Sequence, residues 1–263
     1  MLNRRKRLHI HMTESLRRGR GELIYSRNGA ACIYDAGCRM GLFTVMDIPG
    51  QIPEGEFLAL GTSAAVRTEE KRSEIQLKKR MTEMLDTVPQ KLWCEMKLAV
   101  TTTACLNEEV MRRVSGSPLH ITAECRQACY TQRNPLPVRH KDIRLLGEDA
   151  LGYLTEHYPT EGETYLAGRL RAKALYGAFV ENELAGFAGW HSDGSIGLLY
   201  VAEPFRGQGI GAALEAYCIN RHLEMGYVPY GQIRVENEIS CRMQERLGLY
   251  LSDEHIWWLE RSE

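Results

Sequence analysis

The sequence VAEPFRGQGIGAALEAY, residues 201–217, joins a short apolar run to a helical pattern through a glycine-rich bend. The bend holds Arg206 and three glycines spaced two residues apart, Gly207, Gly209 and Gly211. Glycines at the start of a helix let backbone N–H groups approach a phosphate with no Cβ in the way. The helix N-terminus adds its partial positive charge. The bend therefore predicts a phosphate-binding site.

Two common phosphate-binding motifs do not fit the spacing of this bend. A P-loop requires Lys followed by Ser or Thr after its last glycine, whereas Gly211 precedes two alanines. A dinucleotide-binding fingerprint requires Gly-x-Gly-x-x-Gly, and no acidic residue closes a following strand in the expected parallel unit. The pattern Arg-x-x-Gly-x-Gly fits without alteration. A glycine-rich turn that binds no ligand is the alternative.

Two helices are predicted around this motif. The first carries apolar residues at i, i+3, i+4, i+7 and i+8, which would anchor it on a sheet: Ile210, Ala213, Leu214, Tyr217 and Cys218. Gly226 is well placed to end it. The second is predicted to start at Asn237, a good N-cap residue, and to bury the stripe Ile239, Met243 and Leu247.

Composition and charge indicate a soluble globular protein. The 263 residues are 44% hydrophobic and 25% charged, and a formal net charge of −1 gives no global attraction to nucleic acid or to a membrane surface. No apolar run approaches the roughly 20 residues that span a bilayer. The N-terminus is basic but lacks the apolar core of a secretory signal. We expect a cytoplasmic protein that binds neither nucleic acid nor membrane.

The basic N-terminus has two interpretations. Residues 3–18 are predicted to form an amphipathic helix with Leu8, Met12 and Leu16 on one face. We expect this helix to dock on its own domain and to leave its basic face in solvent. A nucleic-acid-binding arm is the alternative.

The eight cysteines are scattered along the chain, with no CxxC pair and no Cys/His spacing typical of a zinc site. In a chain without a secretory signal, such cysteines are typical of buried reduced thiols. We expect no metal site.

Two domains are expected, with a boundary near Asn134 in the proline-containing stretch RNPLPVRHKDIRLLG. Residues 1–133 are predicted to form a smaller α+β domain of unknown role, without a chemical motif; its strand-like segments include EFLALG at 56–61 and KLWCEMKLAVTT at 91–102. Residues 134–263 give the order β-α-α-β-β-β-α-β-α-β.

Residues from about 138 to 260 resemble the GNAT N-acetyltransferase superfamily. The resemblance rests on YVAEPFRGQGIGAALEAY and on NEISCRMQERLGL, in which a helix starts with Asn237 and closes on Leu247-Gly248-Leu249. It implies a mixed α/β fold with a central mixed sheet flanked by helices. The glycine N-acyltransferase-like branch fits best, because its members pair a degenerate N-terminal half with a catalytic C-terminal half.

The resemblance implies acetyl-CoA as the cofactor. Its pyrophosphate would lie on the N–H groups of the bend: Arg206, Gly207, Gln208, Gly209, Ile210, Gly211 and Ala212. Its pantetheine arm would run along Leu199, Tyr200 and Val201. Asn237 and Ser240 would meet the arm from the other side.

The catalytic side chains depart from the family pattern. Members often carry a glutamate base where this chain has Ser195, and a tyrosine acid where it has Gln244. His191, with an ordinary pKa near 6.5, is the candidate base, directly or through water. Tyr200 is the candidate acid. Structural roles for both, with a proton relayed by water, are the alternative.

The resemblance therefore implies an N-acyltransferase that moves an acetyl or other short acyl group from acyl-CoA to a primary amine. The amine would attack directly within a ternary complex, and it would belong to a small molecule or a peptide. A catalytically impaired acyl-CoA-binding or sensing module is the alternative. The identity of the amine, and the choice between monomer and homodimer, are open at this stage.

Overall fold

The computed structural model describes residues 9–27, 30–45, 76–114 and 116–261. The chain divides into two compact units. Unit one comprises Met1–Ser15 and Cys125–Glu254, and unit two comprises Leu16–Glu124 and His255–Glu263. Each unit is assembled from two separate stretches of chain, so one domain boundary cannot separate the two units. The predicted domains, residues 1–133 and 134–263, therefore stay a prediction.

Strands and helices alternate along both units. The strands are β1 (Gly21–Arg27), β2 (Ala30–Asp35), β3 (Met40–Val45), β4 (Leu98–Thr101), β5 (Leu119–Cys129), β6 (Ile143–Leu145), β7 (Leu175–Val180), β8 (Glu183–Trp190), β9 (Ile196–Val201), β10 (Tyr230–Arg234) and β11 (Tyr250–Arg261). The helices are α1 (Ile10–Arg17), α2 (residues 76–86), α3 (Gln90–Glu95), α4 (Ala104–Arg113), α5 (Leu151–His157), α6 (Glu163–Arg171), α7 (Ile210–Glu224) and α8 (Glu238–Arg246).

Unit two is built on a mixed sheet with the order β1-β2-β3-β4-β11-β5. Strands β3 and β4 are parallel, whereas β1 with β2, β2 with β3, and β4 with β11 are antiparallel. Its core joins helix and strand residues in one buried cluster, in which the Phe43 and Trp93 rings stack with centroids 5.6 Å apart.

Unit one contains an antiparallel sheet with the order β6-β7-β8-β9, and a second set of strands in which β10 pairs with β5. Helices α5 and α6 pack on one face of the β6–β9 sheet through Leu154, Leu166 and Leu170. Helix α7 packs on the opposite face through Ile210, Leu214 and Cys218. The predicted order β-α-α-β-β-β-α-β-α-β and the apolar stripe of α7 are both confirmed.

Helix α1 docks on unit one. Ile10 and Met12 are buried, His11 Nδ1 lies 3.1 Å from Gln127 Oε1, and the Val228 N–H donates to the Glu14 carboxylate at 3.3 Å. The predicted apolar stripe is only partly correct, because Leu16 is exposed and Leu8 lies outside the described residues.

Two other sequence predictions are wrong. Residues 91–95 are helical in α3, because Trp93 and Met96 are three residues apart and both turn inward, which is the spacing of a helix. Ile239 is 84% exposed, since the side of α8 that faces the protein carries Cys241 and Gln244 instead. The predicted strand at 56–61 lies outside the described residues.

In the described part of the chain, no helix combines the length and apolar character needed to cross a membrane. All eight cysteines lie in that part, and none of them forms a disulfide bond.

Candidate active site

The glycine bend takes a backbone conformation that favours glycine. Gly207 has φ +75° and Gly209 has φ +81°, and a Cβ added at either position would meet no atom within 4 Å. Two side chains hold the bend in shape: Arg206 Nε donates to the Val201 carbonyl at 3.0 Å, and Gln208 Nε2 donates to the Pro204 carbonyl at 3.1 Å. The backbone of the bend therefore borders open space.

Helix α7 begins directly after this bend with Gly209 at its N-cap, and no side chain caps it. The first amide that bonds back is that of Ala213, which donates to the Gly209 carbonyl at 3.0 Å. The amides of Ile210, Gly211 and Ala212 donate to no group among the described residues. Three unpaired N–H groups at the start of a 15-residue helix are suited to an anion.

Strand β9, which leads into the bend, carries a bulge. Phe187 pairs with Tyr200, and Gly189 pairs with Gly197. These pairs are two residues apart on β8 but three residues apart on β9, so β9 contains one extra residue. Leu198, at φ +53°, absorbs the extra residue. The side chains of Leu199 and Val201 consequently pack with α7, and the Tyr200 side chain packs with α5 and α6.

The other edge of β9 is not paired in the described structure, because β9 is the last strand of its sheet and β10 belongs to the other sheet. The two strands nevertheless approach at one point, where a Cβ on Gly231 would lie 2.6 Å from the Ile196 carbonyl oxygen. Tyr230 Oη also donates to the Asp193 carbonyl at 2.7 Å. An unpaired strand edge can bind an extended, amide-containing chain.

Helix α8 borders the same region. Asn237 caps it by accepting a hydrogen bond from the Ser240 N–H at 3.0 Å, which confirms the predicted N-cap. A Cβ on Gly211 would lie 3.5 Å from Val201 Cγ2 and 3.8 Å from Met243 Sδ. The start of α7, the end of β9 and α8 are therefore in contact.

His191, the candidate base, is held between α6 and β9. Its Nδ1 lies 3.0 Å from Tyr165 Oη, and its Nε2 lies only 2.6 Å from where a Cβ on Gly197 would stand. Burial lowers its pKa below the ordinary 6.5 against the opposing effect of Asp193, and Arg169 lowers it further. The ring is therefore neutral at pH 7 and able to accept a proton.

Tyr200, the candidate acid, has a partner that the sequence prediction did not include. Tyr200 Oη lies 3.3 Å from His157 Nδ1, and the two rings stack with centroids 5.1 Å apart. Tyr153 also lies against the His157 ring, at 4.2 Å between centroids. The four-residue spacing of Tyr153 and His157 predicts that these two rings share one face of α5, but it does not indicate the contact with Tyr200. His191 and Tyr200 thus have separate partners.

The comparison with known families is decisive for this region. Residues 143–249 match the model of the acetyltransferase (GNAT) family. This stretch is similar to GNAT acetyltransferases over less than half of the chain, and we call it the GNAT domain after that family. No curated protein matches the sequence.

Solved structures resemble much more of the chain than the GNAT domain alone. A Drosophila protein shares 15% identity with a TM-score of 0.58, over 89% of this chain and 74% of its own. A GCN5-related N-acetyltransferase from Kribbella flavida shares 10% identity with a TM-score of 0.50, over 100% of this chain and 96% of its own. At these identities the likeness concerns the fold, and it confirms the predicted mixed α+β architecture with a central mixed sheet flanked by helices.

Ser195 and Gln244, which stand where the family pattern has a glutamate and a tyrosine, have structural roles in the GNAT domain. Ser195 is buried, and both its N–H and its hydroxyl donate to Asp193 Oδ1, at 3.0 and 2.7 Å. Gln244 is also buried and lies against Glu215, whose pKa is raised to about 7 by burial despite a hydrogen bond from Gln244. Neither residue is arranged as a base or an acid.

Among the described residues of the GNAT domain and its surroundings, no group of three or more His, Cys, Asp or Glu side chains is placed to hold a metal ion. The candidate site comprises the backbone of the bend, the edge of β9, and the pairs His191–Tyr165 and Tyr200–His157.

Proposed function

We propose that the protein is an N-acyltransferase that moves an acetyl or other short acyl group from acyl-CoA to a primary amine of a small molecule or peptide. The amine attacks directly in a ternary complex. The observation that carries the proposal is the set of unpaired amides at Ile210, Gly211 and Ala212, which follows a bend bordering open space. A GNAT domain over residues 143–249 supports it.

The chain has donors and acceptors for each part of acetyl-CoA. The amides from Gly207 to Ala212 would bind the pyrophosphate, whereas the predicted Arg206 N–H already donates to the Glu203 carbonyl at 3.2 Å. The unpaired edge of β9 at Leu199, Tyr200 and Val201 would bind the pantetheine arm. Asn237 uses Oδ1 as a helix cap, so its Nδ2 is free to donate to the arm beside Ser240. When bound, acetyl-CoA supplies the thioester.

His191 prepares the amine for attack. Tyr165 Oη already accepts the Ser192 N–H at 3.2 Å. If His191 donates from Nδ1 to the same oxygen, its Nε2, which faces Gly197, is left to accept the proton of the ammonium. The backbone of β9 near Leu199 to Val201 donates to the developing oxyanion.

Tyr200 protonates the leaving thiolate. Its hydroxyl is on the α5–α6 side of β9 and lies within hydrogen-bonding distance of His157. The contact with His157 fixes the direction of the Tyr200 hydroxyl. His157 is thus a positioning residue for Tyr200.

A negative charge introduced at the bend tests cofactor binding. Gly209→Glu places a carboxylate where the pyrophosphate lies and also forces φ +81° on a residue with a Cβ, so we expect CoA binding to be lost in a calorimetric titration. Gly162→Glu is the matched control, because Gly162 has φ −66° and open space around it. Normal CoA binding by Gly209→Glu would refute the assignment of the bend.

A second function, an acyl-CoA-binding or sensing module without catalysis, is favoured by one observation: Ser195 and Gln244 stand at the usual catalytic positions in buried structural roles. Thiol release from acetyl-CoA across a panel of amines, corrected for hydrolysis, separates the two. Amine-dependent release supports the enzyme, and tight CoA binding without it supports the sensor.

We further propose that residues 134–263 carry the catalytic half and residues 1–133 a degenerate GNAT-like half, as in the glycine N-acyltransferase-like branch. The mixed sheet with flanking helices in unit two supports this pairing. We also propose that the protein is cytoplasmic.

A further inference from the structure

The turn that joins β8 to β9 carries His191 at its start. The His191 N–H donates to the Ser195 carbonyl at 2.9 Å, and the Gly194 N–H donates to the His191 carbonyl at 2.9 Å. Two tyrosines connect this turn to other elements of unit one. The first is Tyr165 on α6, whose Oη accepts the Ser192 N–H at 3.2 Å. Because His191 belongs to the turn, any displacement of the turn also displaces the imidazole.

The second tyrosine is Tyr230 on β10. Its Oη donates to the Asp193 carbonyl at 2.7 Å, in the middle of the turn, and both residues are buried. A buried carbonyl that loses its donor bears the full desolvation cost, so this hydrogen bond holds the turn against β10. Strand β10 also approaches β9 directly at Gly231, where a Cβ would lie 2.6 Å from the Ile196 carbonyl oxygen. The position of β10 therefore sets the position of the turn.

Helix α1 supports Tyr230 and β10 through two neighbouring residues. Ile10 shares one buried cluster with Tyr230. The next residue, His11, acts through Gln127 on β5. Gln127 Nε2 donates to the Gly231 carbonyl at 2.8 Å, which leaves its Oε1 to accept a hydrogen bond from His11 Nδ1 at 3.1 Å. Both contacts of α1 therefore lead to residues 230 and 231 of β10.

We propose that Tyr230 is a positioning residue for His191 and that helix α1 keeps Tyr230 in place. The inference rests on the proposed function, in which His191 is the base. Ile10 packs in the cluster that contains the Tyr230 ring, and the Tyr230 hydroxyl holds the carbonyl two residues after His191. A base must lie within hydrogen-bonding reach of the amine, so a small displacement of the turn lowers the rate without weakening cofactor binding. The N-terminal helix thus acts on the reaction through β10.

Removal of the Tyr230 hydroxyl tests the proposal. In Tyr230→Phe, which keeps the ring, we expect kcat for acyl transfer to fall at least about tenfold while KM for acetyl-CoA stays within about twofold of wild type. Tyr130→Phe is the matched control, because Tyr130 Oη also donates to a carbonyl, that of Asn134 at 2.8 Å, elsewhere in unit one. The control should lose a similar amount of stability in urea and keep the wild-type kcat. Equal losses of kcat in the two variants would show that the role of Tyr230 is structural only.

The histidine ring signals in NMR spectra of the unliganded protein provide a measurement that does not depend on turnover. The signal of His191, assigned through its loss in His191→Gln, should shift in Tyr230→Phe and stay in place in Tyr130→Phe. Ile10→Ala should shift the same signal, because it removes the contact of α1 with the Tyr230 cluster. Leu16→Ala, at an exposed position of the same helix, should not.

The outcomes separate this inference from the proposed function. A kcat and a His191 signal that Tyr230→Phe leaves unchanged would overturn the inference and leave the acyltransferase proposal standing. A His191 signal that shifts equally in Tyr130→Phe would also overturn it. Absence of amine-dependent thiol release by the wild type would overturn both.

Discussion

Gly197 sets the position of His191. A Cβ at residue 197 would lie 2.6 Å from His191 Nε2, so Gly197→Ala must displace the imidazole. We predict that kcat for acyl transfer falls at least about tenfold while CoA affinity is unchanged, because a misplaced base loses its proton-transfer contribution. Gly168→Ala, in the helix that carries Tyr165, is the control, since its Cβ meets no atom within 4 Å. Full activity in Gly197→Ala would exclude His191 as the base.

The pH profile tests the same histidine directly. Burial lowers the pKa of His191 below 6.5, so the ring is neutral above that value and becomes protonated, and inactive as a base, at lower pH. We predict that kcat/KM is flat near neutral pH and falls on the acid side of pH 6.5. His191→Gln should reduce kcat/KM by about 100-fold and remove this acid limb. An unchanged acid limb in the variant would assign it to another group.

Some features of the candidate site could be predicted from the sequence at the level of single residues, and others could not. The bend could be predicted, because glycines at positive φ leave a spacing that no other residue type provides. The bulge could not, because leucine rarely adopts the φ of +53° found at Leu198, and its position follows from pairing with β8. His157 was missed because it lies 43 residues from Tyr200 in the chain.

Helices α7 and α8 meet at a buried carboxyl group. Burial raises the pKa of Glu215 from 4.5 to about 7, so the folded protein keeps this proton over a range where the unfolded chain releases it. The contribution of Glu215 to stability is fully present below about pH 4.5 and is lost as the pH rises through about 7.

Substitution of Glu215 isolates this contribution. We predict that the free energy of unfolding of wild type falls relative to that of Glu215→Gln by about 3 kcal/mol from about pH 4.5 to about pH 8. Urea denaturation at several pH values measures the difference. Glu224→Gln, at the exposed end of the same helix, should show no comparable trend. A constant difference between wild type and Glu215→Gln would show that the carboxyl is ionised in the folded state.

Element predictions succeeded where one face of an element is apolar throughout. The stripe of α7 is unambiguous because its apolar residues repeat over more than two turns. The nine-residue α8 is shorter, and its buried face includes the polar Gln244, so the apolar pattern pointed to Ile239 on the wrong face. Helix α3 has only six residues, which are too few to show a helical period. Its apolar residues therefore resembled those of a strand in the sequence.

At the level of the whole molecule, each compact unit is assembled from separate stretches of chain. Unit one includes Cys125–Glu254 but excludes His255–Glu263, which belong to unit two. A fragment of residues 134–263 would lose the β5 segment that pairs with β10, through partners such as Cys129 and Tyr230. It would also carry Leu259, a fully buried residue of the unit-two core, without that core.

We therefore predict that residues 1–133 and 134–263, expressed separately, do not fold cooperatively. Each fragment should show poor chemical-shift dispersion in NMR spectra, and co-expression should restore a folded complex, because the missing strands are then supplied. The intact chain is the control. A well-dispersed spectrum from residues 134–263 alone would show that the GNAT domain is independent of the preceding residues.

Such long-range exchange of segments could not be predicted from local patterns. The proline-containing stretch around Asn134 has the composition of a linker, and the sequence order on either side of it suggests two consecutive domains. Strands β5 and β11, of 11 and 12 residues, extend through the limits of both units. The periodicity of apolar residues predicts that a strand exists. The unit to which the strand belongs depends on pairing with strands that are distant in the sequence.

The free amides at the start of α7 have a practical consequence. Unpaired amides at a helix start are suited to any compact oxyanion, so we expect sulfate or inorganic phosphate in a buffer to compete for Ile210, Gly211 and Ala212. Salt of any kind also screens the attraction between the bend and an anion. An apparent affinity measured in phosphate buffer therefore understates the intrinsic one, and titrations in a zwitterionic buffer with chloride as the counterion give the value that belongs to the protein.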